Sequence, residues 1–79
     1  MAIKAFVLVT AELGGASQAA KSILKIKGVK DVQAITGPYD LITTIEADDV
    51  NGVGKIVANE IQNAEGVDST ITCIVVNLD

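Results

Sequence analysis

The stretch V-K-D-V-Q-A-I-T-G-P-Y-D-L-I-T-T-I-E-A, residues 29–47, reads as two extended runs joined by one turn. In the first run Val32, Ala34 and Thr36 share one face while Asp31, Gln33 and Ile35 share the other, the period of a strand exposed on one side. The turn T-G-P-Y-D (36–40) follows, with Gly supplying positive φ and Pro a φ fixed at about −65°. L-I-T-T-I-E-A (41–47) then resumes as a third strand of the chain and the hairpin partner of the second.

Helical spacing flanks this hairpin on both sides. Upstream, Ala19, Ala20, Ile23, Leu24 and Ile26 recur at helical intervals from Ala16, and Gly28 stands where a C-cap glycine belongs. Lys21, Lys25 and Lys27 suit the C-terminal half of that helix, where the macrodipole favours cations. Downstream, Asp48 or Asp49 is placed to cap a second helix whose apolar stripe is Val50, Val53, Val57, Ile61 and Ala64, closed by Gly66. Gly52 and Gly54 weaken its first turns by up to about 1 kcal/mol each against Ala, so packing compensates or close approach requires them.

Two outer runs complete the order. I-K-A-F-V-L-V-T-A (3–11) is a first strand ended by E-L-G-G, and V-D-S-T-I-T-C-I-V-V-N-L (67–78) is a last one. K-G-V-K-D-V at 27–32 lies over E-G-V-D-S-T at 65–70, a faint internal repeat. Two β-α-β halves predict an α+β, ferredoxin-like βαββαβ sandwich: a four-stranded antiparallel sheet with both helices on one face.

A sheet covered on one side should alternate apolar and polar residues. F-V-L-V, L-I and I-T-C-I-V-V do not, so Phe6 and Leu8 point opposite to Val7 and Val9, and Ile74 and Val76 opposite to Cys73 and Val75. We assign Leu8 and Ile74 to an uncovered apolar face, which small monomers avoid, and expect a sheet-on-sheet homodimer. Dimerisation also relieves the small core of a 79-residue chain.

Composition removes whole classes of function. Six Lys, no Arg, ten carboxylates and a net charge of −4 offer no basic stripe for phosphates, so direct nucleic-acid binding is not expected. His is absent, which deletes the commonest general base and the commonest metal ligand; no cofactor or metal is expected. The apolar runs are four or five residues long, far below the roughly 20 that cross a bilayer. One cysteine forms no internal disulfide, and with no oxidising compartment indicated the expected location is cytoplasmic.

Few residues are placed for chemistry. Cys73 lies within I-T-C-I-V-V and reads as a small buried hydrophobe. Asp48 and Asp49 sit where a helix start wants acids, and Gly14–Gly15 lacks the spacing of a phosphate loop. The turn is different in kind: Gly37, Pro38, Tyr39 and Asp40 cluster pliable backbone, a fixed φ, an aromatic hydroxyl and a carboxylate. One reading is a hairpin turn whose Tyr packs on the rim and whose Asp bonds backbone amides. The other is a ligand loop, in which peptide groups around Gly37 meet a carboxylate and Asp40 meets an ammonium, the two charges of a free amino acid. Thr70 and Thr72, two apart on the last strand, share a face and can add hydroxyl contacts; ordinary β-propensity also explains them.

The pattern G-P-Y-D-L-I between strands two and three, with the ending E-G-V-x-x-T-x-T-x-I-V-V, resembles the amino-acid-sensing RAM domain of Lrp/AsnC transcription regulators over nearly the whole chain. The resemblance implies a domain that dimerises through its sheets and assembles dimers into rings, typically octamers, with an amino-acid effector held between dimers near the turn. Gly37, Tyr39 and Asp40 match the loop positions, and Thr70 and Thr72 the strand threonines of the same region. Full-length members carry an N-terminal helix-turn-helix; here Met1 starts almost at the first strand, so residues 1–79 are expected to be one ligand-binding domain without a DNA-binding domain.

The expectation is therefore a non-enzymatic effector-binding module for a small amino acid or related metabolite. It assembles as a homo-oligomer, with full-length Lrp/AsnC regulators as candidate partners through which transcription is modulated. The alternatives are a small ferredoxin-like dimeric enzyme, weakened by the absence of any paired acid and base, and a ligand-free assembly protein.

Overall fold

Alternation along the two central strands sets the layers. In the computed structural model, which describes residues 2–78, Ala5, Val7 and Val9 of β1 (Ile3–Ala11) and Leu41, Thr43 and Ile45 of β3 (Leu41–Ala47) are buried on one face. The helices cover that face. α1 (Ala16–Leu24) contributes Ala19 and Ile23, and α2 (Val50–Lys55) with its π-helical continuation Ile56–Ile61 contributes Val53, Val57 and Ile61 to the same core. β2 (Val29–Ala34) and β4 (Val67–Ile74) are the edges of a four-stranded antiparallel sheet in the order β2-β3-β1-β4. The fold is the expected ferredoxin-like βαββαβ sandwich.

The internal repeat is structural. Gly28 and Gly66 both adopt positive φ, +96° and +89°, at the entry to an edge strand. That φ strains any side chain at both, and at Gly66 a Cβ would also lie 2.7 Å from the Gly15 carbonyl oxygen; at Gly28 it would press on the movable Ile56 Cδ1 at 2.6 Å. Each edge strand then shifts register directly afterwards, between Val29 and Asp31 in β2 and opposite Thr10–Ala11 in β4.

Three boundaries differ from the expected ones, and the open choice between Asp48 and Asp49 as cap is settled. β2 ends at Ala34, which pairs with Leu41, the first residue of β3; Thr36 has no strand partner. β4 stops at Ile74 rather than 78: Ile74 pairs with Ala5, two residues short of the start of β1, and Val75 N–H donates one last bond to Lys4 O at 2.9 Å. α1 ends at Leu24, before a turn that carries the chain to Gly28. Asp49, not Asp48, caps α2, its Oδ1 accepting from Gly52 N–H at 2.7 Å.

The second helix changes character midway. Val53, Val57 and Ile61 recur every four residues, whereas α-helical spacing would rotate each such step by about 40° off the sheet. The wider π turn, with Gln62 N–H bonded to Val57 O at 2.9 Å, holds the stripe on the core. Gly52 packs closely, since a Cβ there would meet Ala47 Cβ at 3.0 Å; Gly54 faces open space.

The uncovered face carries Phe6 and Leu8 of β1, Ile42 of β3, and Ile71 and Cys73 of β4, whose register places Phe6 opposite Cys73 and Leu8 opposite Ile71 and Ile42. Cys73 is exposed there, not a buried hydrophobe. Ile74 is corrected to the helix side: it pairs with Ala5, whose side chain is in the core, and lies 39% exposed at the β4 edge where the helices do not reach. No helix among the described residues is long and apolar enough to cross a membrane.

Candidate functional site

The turn 36–40 is positioned by β1. Asp40 N–H donates to Val9 O at 2.9 Å, and Ile35 N–H closes the loop on Asp40 O at 2.9 Å. Gly37 takes φ +136°, and Gly37 and Pro38 are exposed while the Tyr39 ring is half-buried. Asp40 Oδ2 accepts a hydrogen bond from Ala11 N–H at 2.7 Å, which pins the end of β1 to the turn. The carboxylate thus has the backbone role that turn chemistry suggests, and Oδ1 remains for a second donor.

Asp40 also lines a recess of about 320 Å³ with Ala11, Glu12, Leu13, Gly14 and Ser17, the segment leading from β1 into α1. That volume is at the lower end of the roughly 300–1,000 Å³ typical of small-molecule sites. Sequence reasoning placed no weight on this segment. Its signal is Leu13, a large apolar side chain in a Gly-rich loop, which the structure leaves fully exposed.

Thr70 and Thr72 share the helix-side face of β4, opposite Val9 and Val7 respectively. Within one chain they stand across β1 from the turn, on the strand that flanks its other side. Thr70 Oγ1 accepts from Gln62 Nε2 at 3.1 Å and lines a separate polar recess with Asn63, Asp68 and Ser69, while Thr72 is exposed. A third, larger recess of about 540 Å³ lies between the end of β3 and the start of α2, where Lys27, Glu46, Asp48, Asp49, Lys55 and Glu60 converge. Sequence reasoning did not single it out as a recess.

Residues 4–78 match the Lrp/AsnC ligand binding domain. The chain belongs to the Lrp/AsnC family. A structure from Thermus thermophilus resembles this Lrp/AsnC domain with a TM-score of 0.89 and 30% identity, covering 98% of this chain and 96% of that one. An HTH-type transcriptional regulator of Pyrococcus abyssi is 37% identical over 57 residues, 72% of this chain and 38% of the regulator. A homocitrate synthase of Sulfurisphaera tokodaii is 44% identical over 50 residues, 63% of this chain and 11% of the enzyme. A transcriptional regulator of Neisseria meningitidis, solved as a complex with L-Met, shares the fold with a TM-score of 0.85 at 22% identity, covering 95% of this chain and 50% of that one. The Lrp/AsnC domain described here therefore spans well under half the length of the curated relatives it matches.

Proposed function

We propose that this chain is a non-catalytic effector-binding module that takes a small amino acid or related metabolite at the turn 36–40, where neighbouring subunits meet. The observation that carries the reading is Asp40: its Oδ2 is held by Ala11 N–H while its carboxylate lines a recess of amino-acid size. Asp40 meets the ligand's ammonium, and exposed peptide groups around Gly37, stiffened by Pro38 and flanked by Tyr39, meet its carboxylate. Thr70 and Thr72 belong to this site only when supplied by another subunit, because β1 separates them from the turn within one chain. The apolar sheet face supports a homodimer, and dimers associate into an octamer or similar ring. The helix-turn-helix relatives support full-length Lrp/AsnC regulators as partners in modulating transcription. The homocitrate synthase similarity favours a second reading, an effector module serving a metabolic enzyme.

A thermal-shift screen of the purified protein against the twenty amino acids tests the site. Ligand at a hundredfold excess over Kd adds about 2.7 kcal/mol of apparent stability, so one or a few amino acids raise Tm. Asp40→Asn keeps an oxygen for Ala11 N–H and removes the charge; it leaves the ligand-free Tm unchanged and abolishes the rise. An equal rise in the variant removes Asp40 from the site, and no rise with any amino acid in the wild-type protein removes the effector reading.

A further inference from the structure

The start of α2 contains a chemically reactive pair, Asn51–Gly52. It is the one Asn-Gly step in the chain; Asn59, Asn63 and Asn77 precede Glu60, Ala64 and Leu78. Glycine has no Cβ to shield its nitrogen from the preceding side chain or to restrict the backbone between them. Deamidation at such a step needs no enzyme. The Gly52 nitrogen, losing its proton to solvent, attacks Asn51 Cγ; a C–N bond forms, the bond to Nδ2 breaks, and ammonia leaves a succinimide behind. Water then opens the ring on either side, giving aspartate or an isoaspartate whose main chain runs through the former side chain.

The fold holds this chemistry in check. Asn51 is exposed and Gly52 half-buried, the second and third residues of α2. Gly52 N–H is one of the donors that a helix start leaves without an intrahelical partner, and Asp49 Oδ1 accepts it at 2.7 Å. Ring closure requires the Gly52 nitrogen to swing toward the Asn51 side chain, which a helical ψ of about −42° prevents. That swing also breaks the cap and moves Gly52 off Ala47, against which it packs closely.

We propose that Asn51–Gly52 is a latent deamidation site kept closed by the Asp49 cap and opened only when the first turn of α2 frays. The aspartate product suits a helix start, where acids are favoured. The isoaspartate product does not: its extra backbone methylene displaces Gly52 from Asp49 Oδ1 and shifts Val53, 2% exposed, in its seat in the core. An irreversible event at one exposed side chain thus loosens the second helix from the sheet. The inference is independent of the effector reading, since none of these residues lines the recess at Asp40.

Peptide mapping of the full chain held at mildly alkaline pH tests it, with mass reading the exchange of amide for acid and an isoaspartyl methyltransferase labelling the isoaspartate. In wild-type protein unfolded in guanidinium chloride, Asn51 is the first of the asparagines to react. In the native protein it reacts roughly tenfold more slowly or less, because reaction waits on a minor open population. Asp49→Ala speeds the native reaction about fivefold, the growth in open turn that loss of a cap produces, and Asp49→Ser, an equally good cap, restores the slow rate. If Asp49→Ala does not fold, the native and unfolded wild-type rates still decide. Equal rates in those two states, another asparagine reacting first in the unfolded chain, or an Asp49→Ala rate at or below that of the wild type overturns the proposal.

Discussion

Thr43 is fully buried on the helix side of β3, between Val7 and Val32, and its Oγ1 has no hydrogen-bond partner among the described residues. A buried hydroxyl left unpaired costs about 1–3 kcal/mol, since it loses water and gains nothing in return. Thr43→Val replaces that hydroxyl with a methyl of similar shape, and it raises stability by about 1 kcal/mol. The denaturant midpoint moves up with an unchanged slope; a drop in the midpoint means that the hydroxyl does hold a partner. The Thr at this position was legible as a strand residue, but not as a buried one, because T-T offers two adjacent hydroxyls and only the register with β1 tells which points inward. Asp40 shows the same limit at the candidate site. Its turn was visible in G-P-Y-D, whereas its bond to Ala11, 29 positions away in sequence, exists only once β1 and β3 are paired.

The elements were legible wherever a single period ran uninterrupted. β1, β3, both helix starts and the hairpin between the helices follow from apolar spacing and from Gly, Pro and Asp at the junctions. Element ends were not: β2 stops where its neighbour β3 begins, at Ala34 opposite Leu41, and β4 ends at Ile74 within an apolar run that gives no stop signal. The face assignment of β4 failed for a related reason: in I-T-C-I-V-V both parities are apolar, so sequence cannot choose between Ile71 and Ile74. The register chooses, and it makes a paired test of the dimer surface. Leu8→Lys or Ile71→Lys puts an ammonium at the centre of the open face, where burial against a partner costs several kcal/mol, and light scattering shows the dimer dissociating. Ile74→Lys, on the other face and partly exposed, leaves the mass unchanged. A dimer that survives both central substitutions places the interface elsewhere.

At the scale of the whole molecule, a 79-residue chain buries only about 60% of the surface its unfolded form exposes. Here the core is one layer between a sheet and two helices, and Phe6, Leu8, Ile42 and Ile71 lie outside it. Covering that second face with a partner's sheet turns a two-layer unit into a four-layer one, and folding then becomes coupled to association. Stability so coupled depends on concentration. A tenfold dilution removes about 1.4 kcal/mol of the drive to associate. For a unit of roughly 150–250 residues, each kcal/mol moves Tm by about 2–4 °C, so the expected drop is about 3–6 °C per decade of dilution. Calorimetry over two decades of protein concentration measures it. A Tm that does not move with concentration means the single chain is stable with its apolar face in water, and the sheet-to-sheet dimer then contributes nothing to the fold.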